Sequence, residues 1–258
     1  MAVTLEQISF SYEQSATLRR IDICFEPGIF YSIIGPNGSG KTTLLDIITG
    51  FLTPDTGRIL IDRQPIESFS KKELAKQIAL VSQDYAIQFP FTVEEVVLMG
   101  RHPYIPRFSR PAPEDYALAE NVMDRCGITG LKDRKINELS GGEKQRCVFA
   151  RALCQDTPIL LLDEAFSNMD ICHTLQMLRL IKQAVRDKNR LVISVFHDLN
   201  IASAWSDAVL MLKKGTIAAF GPTRDTFTHE TVNHVFNIDS IVEFNPHVNA
   251  KQIYYPGV

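Results

Sequence analysis

One stretch of nine residues constrains the fold of this chain more than any other: positions 35–43 read Gly-Pro-Asn-Gly-Ser-Gly-Lys-Thr-Thr. The apolar run 31–34 before it is typical of a buried strand, and the run 44–48 after it is typical of a helix. In this context the pattern G-x-x-x-x-G-K-[ST] indicates a phosphate-binding loop. Its glycines let successive backbone N–H groups point at an anion, and the following helix adds the positive end of its dipole.

Two side chains of this loop carry chemistry of their own. We expect Lys41 to reach the outer phosphates of a nucleotide and the Thr42 hydroxyl to bind Mg²⁺. The other members of the predicted phosphate cradle are Gly35, Pro36, Asn37, Gly38, Ser39, Gly40 and Thr43. The loop alone does not separate kinases, GTPases, helicases and transport ATPases, so the rest of the chain must decide among them.

Composition narrows the class of protein. The 258 residues, 45% hydrophobic and 22% charged, suit one large α/β domain or two small ones. With 27 basic and 30 acidic residues the net charge is -3, so no global basic field indicates a nucleic-acid partner. The five cysteines form no C-x-x-C pair, which favours buried, reduced thiols over a zinc site or disulfides. No secretory signal or membrane span is evident, so we expect a cytoplasmic protein.

Polar side chains follow four apolar, strand-like runs. Gly35, Gln83, Asp163 and His197 each stand where such a run ends, and Glu164 follows Asp163. The carboxyl ends of parallel strands form the ligand crevice of an open α/β sheet, so we expect these residues to share one site. There Asp163 can hold Mg²⁺ or its water, and Glu164 can orient or deprotonate a water.

Three further segments fit two interpretations each. Tyr12, just past the first predicted strand, fits stacking on a base as well as packing on the sheet. Ser140, Gly141 and Gly142 precede a helix, where they can bind a phosphate or only cap the helix. The proline-rich stretch 101–113 fits a docking surface or a plain connector.

Hydrophobic periodicity predicts the secondary structure. The predicted strands span 3–10, 18–25, 31–34, 58–62, 78–82, 159–162 and 191–196, with a hairpin over 209–220. Helices are predicted over 67–76, after a capping box at Thr92, from Pro113 onward, up to about Gln155, over 174–187 and around 231–236, followed by a mostly extended tail. The helix-rich part between 84 and 139 indicates an insertion into the sheet domain.

Taken in order, these residues resemble the nucleotide-binding subunit of ATP-binding cassette (ABC) transporters. The resemblance rests on Tyr12, the loop at 35–43, Gln83, Leu-Ser-Gly-Gly-Glu at 139–143, Ile-Leu-Leu-Leu-Asp-Glu at 159–164, Asp170 and His197, and it covers nearly the whole chain. It implies an α/β fold, namely a P-loop NTPase with a mixed sheet core, an N-terminal antiparallel β subdomain and a helical insertion. It also implies one ABC ATPase domain over 1–258, with a nucleotide-binding core at 1–83 and 140–220, a helical subdomain at 84–139 and a C-terminal tail at 221–258.

The resemblance assigns ATP and Mg²⁺ to particular residues. Tyr12 would stack on adenine, while Lys41 and the amides of the loop would hold the β- and γ-phosphates. Thr42 and Gln83 would ligate Mg²⁺, with Asp163 supporting it.

It also implies catalysis across a pair of chains. Glu164 would polarise the attacking water and His197 would contact the γ-phosphate, with Lys41 and Gln83 completing the catalytic set. Ser140, Gly141 and Gly142 would cap the γ-phosphate of ATP bound to a second copy, and Asp170 would lie at that interface. Two head-to-tail copies would therefore sandwich two ATP molecules.

Within the family, a single cassette with the sequence Val-Val-Leu-Met-Gly-Arg-His-Pro-Tyr at 96–104 resembles the cassettes that import iron–siderophores, haem and cobalamin. The alternatives within the family are importers of molybdate or other metal oxyanions and non-transport ABC ATPases. The alternative outside the family is a P-loop kinase or a binding module. The implied partners are polytopic membrane permease subunits, received near 83–111, and indirectly a substrate-binding protein. The chain would be peripheral on the inner face of the cell membrane.

The chain departs from the family pattern at three places. Glu143 stands where Gln is commoner, Met169 where Leu is usual and Arg63 where Gly is frequent. Methionine is a near-volume substitute for leucine, so we expect it to be tolerated. None of the three touches the catalytic assignments.

Overall fold

The computed structural model describes residues 1–13, 15–82 and 89–255. They form two compact units: Met1–Ser68 together with the chain from Asn189 onward, and Phe69–Lys188. Gln83 lies outside the described residues, so its predicted place at a strand end stays a prediction. None of the described helices combines the length and the apolar character that a membrane crossing needs.

The secondary structure alternates between strands and helices, as the periodicity predicts. The strands are β1 (Val3–Tyr12), β2 (Ser15–Phe25), β3 (Phe30–Ile34), β4 (Thr56–Ile61), β5 (Gln64–Pro65), β6 (Ile78–Val81), β7 (Ile159–Asp163), β8 (Leu191–Val195), β9 (Ala208–Lys213), β10 (Thr216–Pro222), β11 (Ile241–Asn245) and β12 (Ala250–Tyr254). The helices are α1 (Lys41–Ile48), α2 (Lys71–Leu74), α3 (Val93–Leu98), α4 (Pro113–Arg125), α5 (Gly141–Cys154), α6 (Ile171–Lys188), α7 (Leu199–Trp205), α8 (Thr223–Thr226) and α9 (His229–Phe236).

The first unit contains an antiparallel sheet and a mixed one, which confirms the predicted fold class. The antiparallel sheet has the strand order β2-β1-β4-β5. In the mixed sheet β3 runs parallel to β8 on one side and to β9 on the other, and β10 pairs with β9 as the predicted hairpin. The strand that leads into the phosphate-binding loop therefore has parallel neighbours on both edges.

β3 is held at its start as well as along its length. All five of its residues are buried, as expected of a strand covered on both faces. The Asp207 carboxylate accepts a hydrogen bond from the Phe30 N–H at 2.9 Å, and the Asp207 N–H donates to the Phe30 carbonyl at 2.7 Å. Truncating a buried isoleucine such as Ile33 to alanine typically lowers the free energy of unfolding by about 2–5 kcal/mol. The buried strand therefore holds the start of the loop in place.

The C-terminal segment is largely extended, as the sequence predicts, and its two strands also pair with each other. β11 and β12 pair antiparallel, with Ile241 opposite Tyr254 and Asn245 opposite Ala250. The Asn200 side chain of α7 donates to the Ile253 carbonyl at 3.2 Å and accepts from its N–H at 2.8 Å. A long-range contact of this kind, which local patterns do not reveal, turns the tail into a hairpin.

The second unit packs helices around a pair of strands. β6 and β7 are parallel, with Val81 beside Leu162, and every residue of β7 is buried. Helix α5 packs against α3, α4 and β6. The predicted capping box at Thr92 and the predicted helix start at Pro113 are both confirmed.

Two predictions in this chain are wrong in part. The helix predicted over 67–76 is a 3₁₀ turn, Ile66–Ser68, followed by the four-residue α2, because Ser70 and Glu73 form a capping box that starts the helix at Lys71. Buried thiols are found at Cys126, Cys147 and Cys154, where burial raises the pKa to about 12. The other two cysteines are not buried: Cys24 is half-buried and Cys172 is exposed.

Candidate functional site

The phosphate-binding loop lies between β3 and α1, and it leaves the N-terminus of α1 without a side-chain cap. Gly40 occupies the N-cap position in the left-handed conformation, with φ +99°, and no acidic residue stands in the first turn. The N–H groups at a helix start need partners from outside the helix, so this end of α1 suits an anion.

Glycine is favoured at position 40 for two physical reasons. Its backbone conformation disfavours residues that have a side chain. A Cβ at this position would also lie 2.6 Å from the Leu18 Cδ2 and 3.0 Å from the Thr17 carbonyl oxygen. The loop and the first residues of β2 therefore leave little space for a side chain at position 40.

Two side chains of the loop provide partners for phosphate oxygens. The Lys41 ammonium donates to the Gly35 carbonyl at 2.9 Å and to the Pro36 carbonyl at 3.2 Å, so it lies over the loop, with 7% of the residue exposed. The Ser39 hydroxyl is buried and has no hydrogen-bond partner within the part of the chain that the structure describes. A buried hydroxyl usually finds a partner. These features fit a bound phosphate group.

His197 lies beside this loop through the register of two strands. Ile33 of β3 pairs with Val195 of β8, so Gly35 and His197 both follow two residues later at the same edge. The His197 side chain is exposed. Its neighbour Asp198 has a different task, because its carboxylate caps α7 by accepting from the Asn200 and Ile201 N–H groups. Gly35 and His197 therefore lie at the same edge of the sheet in the first unit, as the sequence predicts.

Tyr12 ends β1 with its ring largely in solvent. The residue is 49% exposed, and its ring meets Phe10 edge-on, with centroids 4.9 Å apart and an interplanar angle of 88°. The ring therefore packs on the sheet and still presents surface to solvent, which suits stacking on a base. Both interpretations of Tyr12 are compatible with this position.

The two predicted acids of the second unit stand at the end of β7. Asp163 is its last residue and is 4% exposed, while Glu164 is half-buried and has a backbone φ of +50°. A left-handed conformation is uncommon for a residue with a side chain and marks local strain. The turn that follows is closed by a hydrogen bond from the Ser167 N–H to the Glu164 carbonyl at 3.2 Å.

Oxygen-bearing side chains suit Mg²⁺ in both units. The Thr42 hydroxyl belongs to the first unit, where the residue is exposed, and the Asp163 carboxylate belongs to the second. Hydroxyl and carboxylate oxygens are the donors that Mg²⁺ prefers. Clusters of three or more His, Cys, Asp or Glu that would hold a metal by themselves are absent from residues 1–13, 15–82 and 89–255.

The Leu-Ser-Gly-Gly-Glu segment starts α5 with a capping box. The Glu143 carboxylate accepts hydrogen bonds from the Ser140 N–H and hydroxyl, both at 2.8 Å, and the Ser140 oxygen accepts from the Glu143 N–H at 3.4 Å. These bonds from the Ser140 backbone and hydroxyl lower the pKa of Glu143. Ser140 and Gly141 are exposed. The glutamate that departs from the family pattern thus has a structural task.

Asp170 starts α6 in a similar way. Its carboxylate accepts from the His173 N–H at 2.9 Å and contacts the His173 Nδ1 at 2.8 Å, and these bonds, the backbone one first, lower the pKa of Asp170. The residue is exposed, as a place at an interface requires.

One buried polar residue that contacts the loop after Asp163 was not identified from the sequence. The Gln145 side chain is fully buried in α5 and donates to the carbonyl of Ala165, the residue after Glu164, at 2.9 Å. Its signal in the sequence is a polar residue in an otherwise apolar helical stripe, which continues with Val148, Phe149 and Ala152.

Comparison with known proteins places the chain in a family. Residues 18–167 match the profile of the family described as ABC transporter. The ferric enterobactin transport ATP-binding protein of Escherichia coli is 34% identical over 93% of this chain and 89% of its own length. A hemin import ATP-binding protein of Thermobifida fusca is 36% identical, over 95% and 86%. A cobalamin import ATP-binding protein of Halobacterium salinarum is 33% identical over 97% of this chain, which spans 63% of that protein.

Two solved structures extend the comparison to the fold. An ABC transporter described as of metal-chelate type, in an inward-facing conformation, matches with a TM-score of 0.83 at 27% identity, over 98% of this chain and 96% of its own. A dimeric ATP-binding cassette in a post-hydrolysis state, bound to ADP and Pi, matches with a TM-score of 0.78 at 27% identity, over 86% and 99%. The present chain belongs to the ABC transporter family, and it is an ATP-binding, ATP-hydrolysing cassette of that family.

Proposed function

We propose that this ATPase powers the import of a metal chelate, namely an iron–siderophore, haem or cobalamin, through partner membrane subunits. The observation that carries the proposal is the likeness, over more than nine tenths of the chain, to relatives named for the import of hemin and cobalamin and the transport of ferric enterobactin. The likeness to a transporter of metal-chelate type supports it.

In this function the phosphate-binding loop, residues 35–43, holds the β- and γ-phosphates of ATP. The uncapped start of α1, the buried Ser39 hydroxyl and the Lys41 ammonium over the loop support this role. Thr42, Gln83 and Asp163 hold Mg²⁺, which would neutralise charge that develops on the phosphoryl oxygens. Tyr12 stacks on the adenine, for which its exposed ring is suited.

Catalysis in this proposal is positioning and charge stabilisation of the transferred phosphoryl group. Glu164 polarises the attacking water, and His197 contacts the γ-phosphate from the strand next to the loop. The place of His197 beside Gly35 in the strand register supports that contact. Lys41 and Gln83 complete the catalytic set.

The proposed partner in ATP binding is a second copy of the chain. Ser140, Gly141 and Gly142 of one copy cap the γ-phosphate of ATP on the other, and Asp170 lies at the interface. The exposure of Ser140, Gly141 and Asp170 and the dimeric state of a solved neighbour support this arrangement. ATP would join the copies, and loss of the γ-phosphate would release them.

Motion of the pair would reach polytopic permease subunits through the segment 83–111, with a substrate-binding protein acting outside the cell and no role for nucleic acid. The chain would work on the cytoplasmic face of the membrane. We also propose the division into a nucleotide-binding core at 1–83 and 140–220, a helical subdomain at 84–139 and a tail at 221–258.

Reconstitution tests the cargo. The chain is co-expressed with a candidate polytopic permease from the same genome, and the complex is placed in proteoliposomes with a candidate substrate-binding protein. Uptake of ferric siderophore, haem, cobalamin and molybdate is then measured with and without ATP, with Lys41→Ala as the inactive control. ATP-dependent uptake of one of the three chelates is expected. Uptake of molybdate alone, or ATP hydrolysis by a chain that binds no membrane protein, would overturn the proposal.

A further inference from the structure

One face of helix α5 contacts the loop that follows Asp163, residues 164–170. The Gln145 side-chain nitrogen donates to the Ala165 carbonyl at 2.9 Å. The Phe149 and Phe166 rings lie with centroids 6.3 Å apart, at a tilt of 48°. At the start of the helix, a Cβ on Gly142 would lie 3.1 Å from the Asn168 carbonyl oxygen.

The three helical positions form a single stripe. Positions 142, 145 and 149 are spaced by three and four residues, so they share one face of α5. The same face therefore contacts the loop at Ala165, Phe166 and Asn168, close to the full length between Glu164 and Asp170. Because Ser140 is the N-cap of α5, the helix connects the signature segment to the loop that carries Glu164.

Gln145 is the polar member of this stripe and is an unusual residue to bury. Its exposure is 0%, and its side-chain oxygen has no hydrogen-bond partner in the described part of the chain. A buried amide with an unpaired acceptor weakens a fold, whereas an apolar side chain of similar volume would not. The stability of α5 therefore does not explain a glutamine at position 145. The Ala165 carbonyl does explain it, because this carbonyl needs a hydrogen-bond donor.

The residue next to that carbonyl is strained. Glu164 has a φ of +50°, which a residue with a side chain keeps only when its surroundings hold it there. The Gln145 bond fixes the peptide that follows Ala165, which is itself fully buried. The Ser167 N–H closes the turn on the Glu164 carbonyl.

We infer that Gln145 is a positioning residue that keeps the Glu164 carboxylate in its working orientation and joins it mechanically to the signature end of α5. The inference rests on the role proposed above for Glu164. It predicts that loss of the Gln145 donor impairs the hydrolysis step and leaves nucleotide binding in place.

The test compares Gln145→Met, which keeps the volume and removes the donor, with Gln155→Met at the other end of the same helix. Gln155 is a matched control, because its side-chain nitrogen also donates to backbone carbonyls, those of Ala75 at 2.6 Å and Ile78 at 2.9 Å. Glu164→Gln and the double variant Gln145→Met/Glu164→Gln complete the set. The measurements are kcat and KM for ATP, the Kd of a fluorescent ATP analogue, and the thermal midpoint of each variant.

We expect Gln145→Met to lower kcat about 10- to 100-fold, the effect of a misplaced catalytic group, with the analogue's Kd within about threefold of wild type. Gln155→Met should keep kcat within about threefold, even if its thermal midpoint falls further. If Gln145 acts through Glu164, the double variant is no slower than Glu164→Gln alone, since two groups that act as one unit are not additive.

The outcomes separate this inference from the role of Glu164. If Glu164→Gln keeps nearly full turnover, the proposed role of Glu164 is wrong, and the inference falls with it. If Glu164→Gln is inactive while Gln145→Met turns over normally, or if the two losses multiply, the inference alone is wrong. Should Gln145→Met not fold, Phe149→Leu, which loosens the next contact on the stripe, is tested against the same criteria.

Discussion

Two small-residue loops of this protein start helices in opposite ways. The phosphate-binding loop opens α1 at Gly40 with no side-chain cap and no acid in the first turn. The signature segment opens α5 at Ser140 with a complete capping box, whose Glu143 carboxylate accepts two hydrogen bonds. The first helix start is left for a ligand to complete, whereas the second is complete on its own.

The capping box of α5 is not special to the signature. The start of α2 has the same box, made by Ser70 and Glu73, and the start of α3 has one made by Thr92 and Glu95. A capping box of this type stabilises the start of a helix by about 1 kcal/mol. It follows that a phosphate reaching Ser140 must compete with the Glu143 carboxylate for the serine hydroxyl, while at α1 none of the described side chains caps the helix.

The largest effect is expected at the uncapped helix. Lys41→Ala removes the ammonium that lies over the loop, and we expect ATP turnover to fall about 10²–10³-fold because charge on the phosphates loses its main counterion. Lys188→Ala, which removes an exposed lysine paired with Asp156, is the control and should keep turnover. Steady-state hydrolysis and ATP binding are measured for both. Equal activity of Lys41→Ala and wild type would contradict the assignment of the loop.

The next effect is expected at the capped helix. In the proposed sandwich, Ser140→Arg places a bulky cation where the partner's phosphate would lie, so ATP-dependent dimers disappear and turnover falls about 10- to 100-fold. ATP binding to the monomer should persist. Light scattering with and without ATP measures the dimer.

Ser70→Arg is the matched control for that prediction, because it breaks an identical capping box away from the signature. It should reproduce any loss of helix stability and keep the dimer. A loss of ATP binding by the Ser140→Arg monomer would instead place Ser140 in the pocket of its own chain.

A smaller effect is expected at the start of α4, where an acid both caps the helix and forms an ion pair. The Asp115 carboxylate accepts from the Ala112 N–H at 2.9 Å and from the Arg101 Nε at 2.8 Å, and chiefly the Arg101 bond lowers the pKa of Asp115. Asp115→Asn should lower the free energy of unfolding by about 1–3 kcal/mol at pH 7.

The direction of the Asp115 pKa shift determines how this loss of stability depends on pH. A pKa that is lower in the folded state than in the unfolded one contributes stability at pH values above the unfolded pKa, and the contribution disappears as the pH falls through the folded pKa. The difference between wild type and Asp115→Asn should therefore shrink below about pH 4. Denaturant unfolding from pH 3 to 7 measures it, with Asp124→Asn, an exposed aspartate of the same helix, as the control. A difference that stays constant with pH would rule out the ion pair as its cause.

The smallest effect is expected for the departure from the family pattern. Glu143→Ala should cost about 1 kcal/mol of stability, and Glu73→Ala, in the equivalent box of α2, is the comparison variant. Glu143→Gln keeps an acceptor and should cost less, about 0.5 kcal/mol. Because it also removes a negative charge beside Ser140, it should lower the ATP concentration at which dimers form. An unchanged or higher ATP requirement would show that Glu143 does not compete with phosphate.

Features coded by neighbouring residues were predictable from the sequence. The loop at 35–43, the capping box at Thr92, the helix start at Pro113 and the buried strand before Asp163 all depend on spacings of a few residues, and the structure contains each of them. The sequence also predicted that Gly35 and His197 lie at one edge of the sheet, because both follow the ends of parallel strands. The mixed and antiparallel sheets of the predicted fold class were expected from the family resemblance, and the structure contains both.

Tertiary structure decided the features that join distant residues. The hairpin of β11 and β12 depends on Asn200, some fifty positions from its partner Ile253. The exposure of Cys172 depends on which residues pack around it in the folded chain. The bond from Gln145 to Ala165 spans twenty residues, so no local pattern contains it, and only folding brings the donor to the carbonyl beside Glu164. Sequence alone determined which residues can bind a phosphate; the fold determined which of them are already satisfied by the protein and which are left to a ligand.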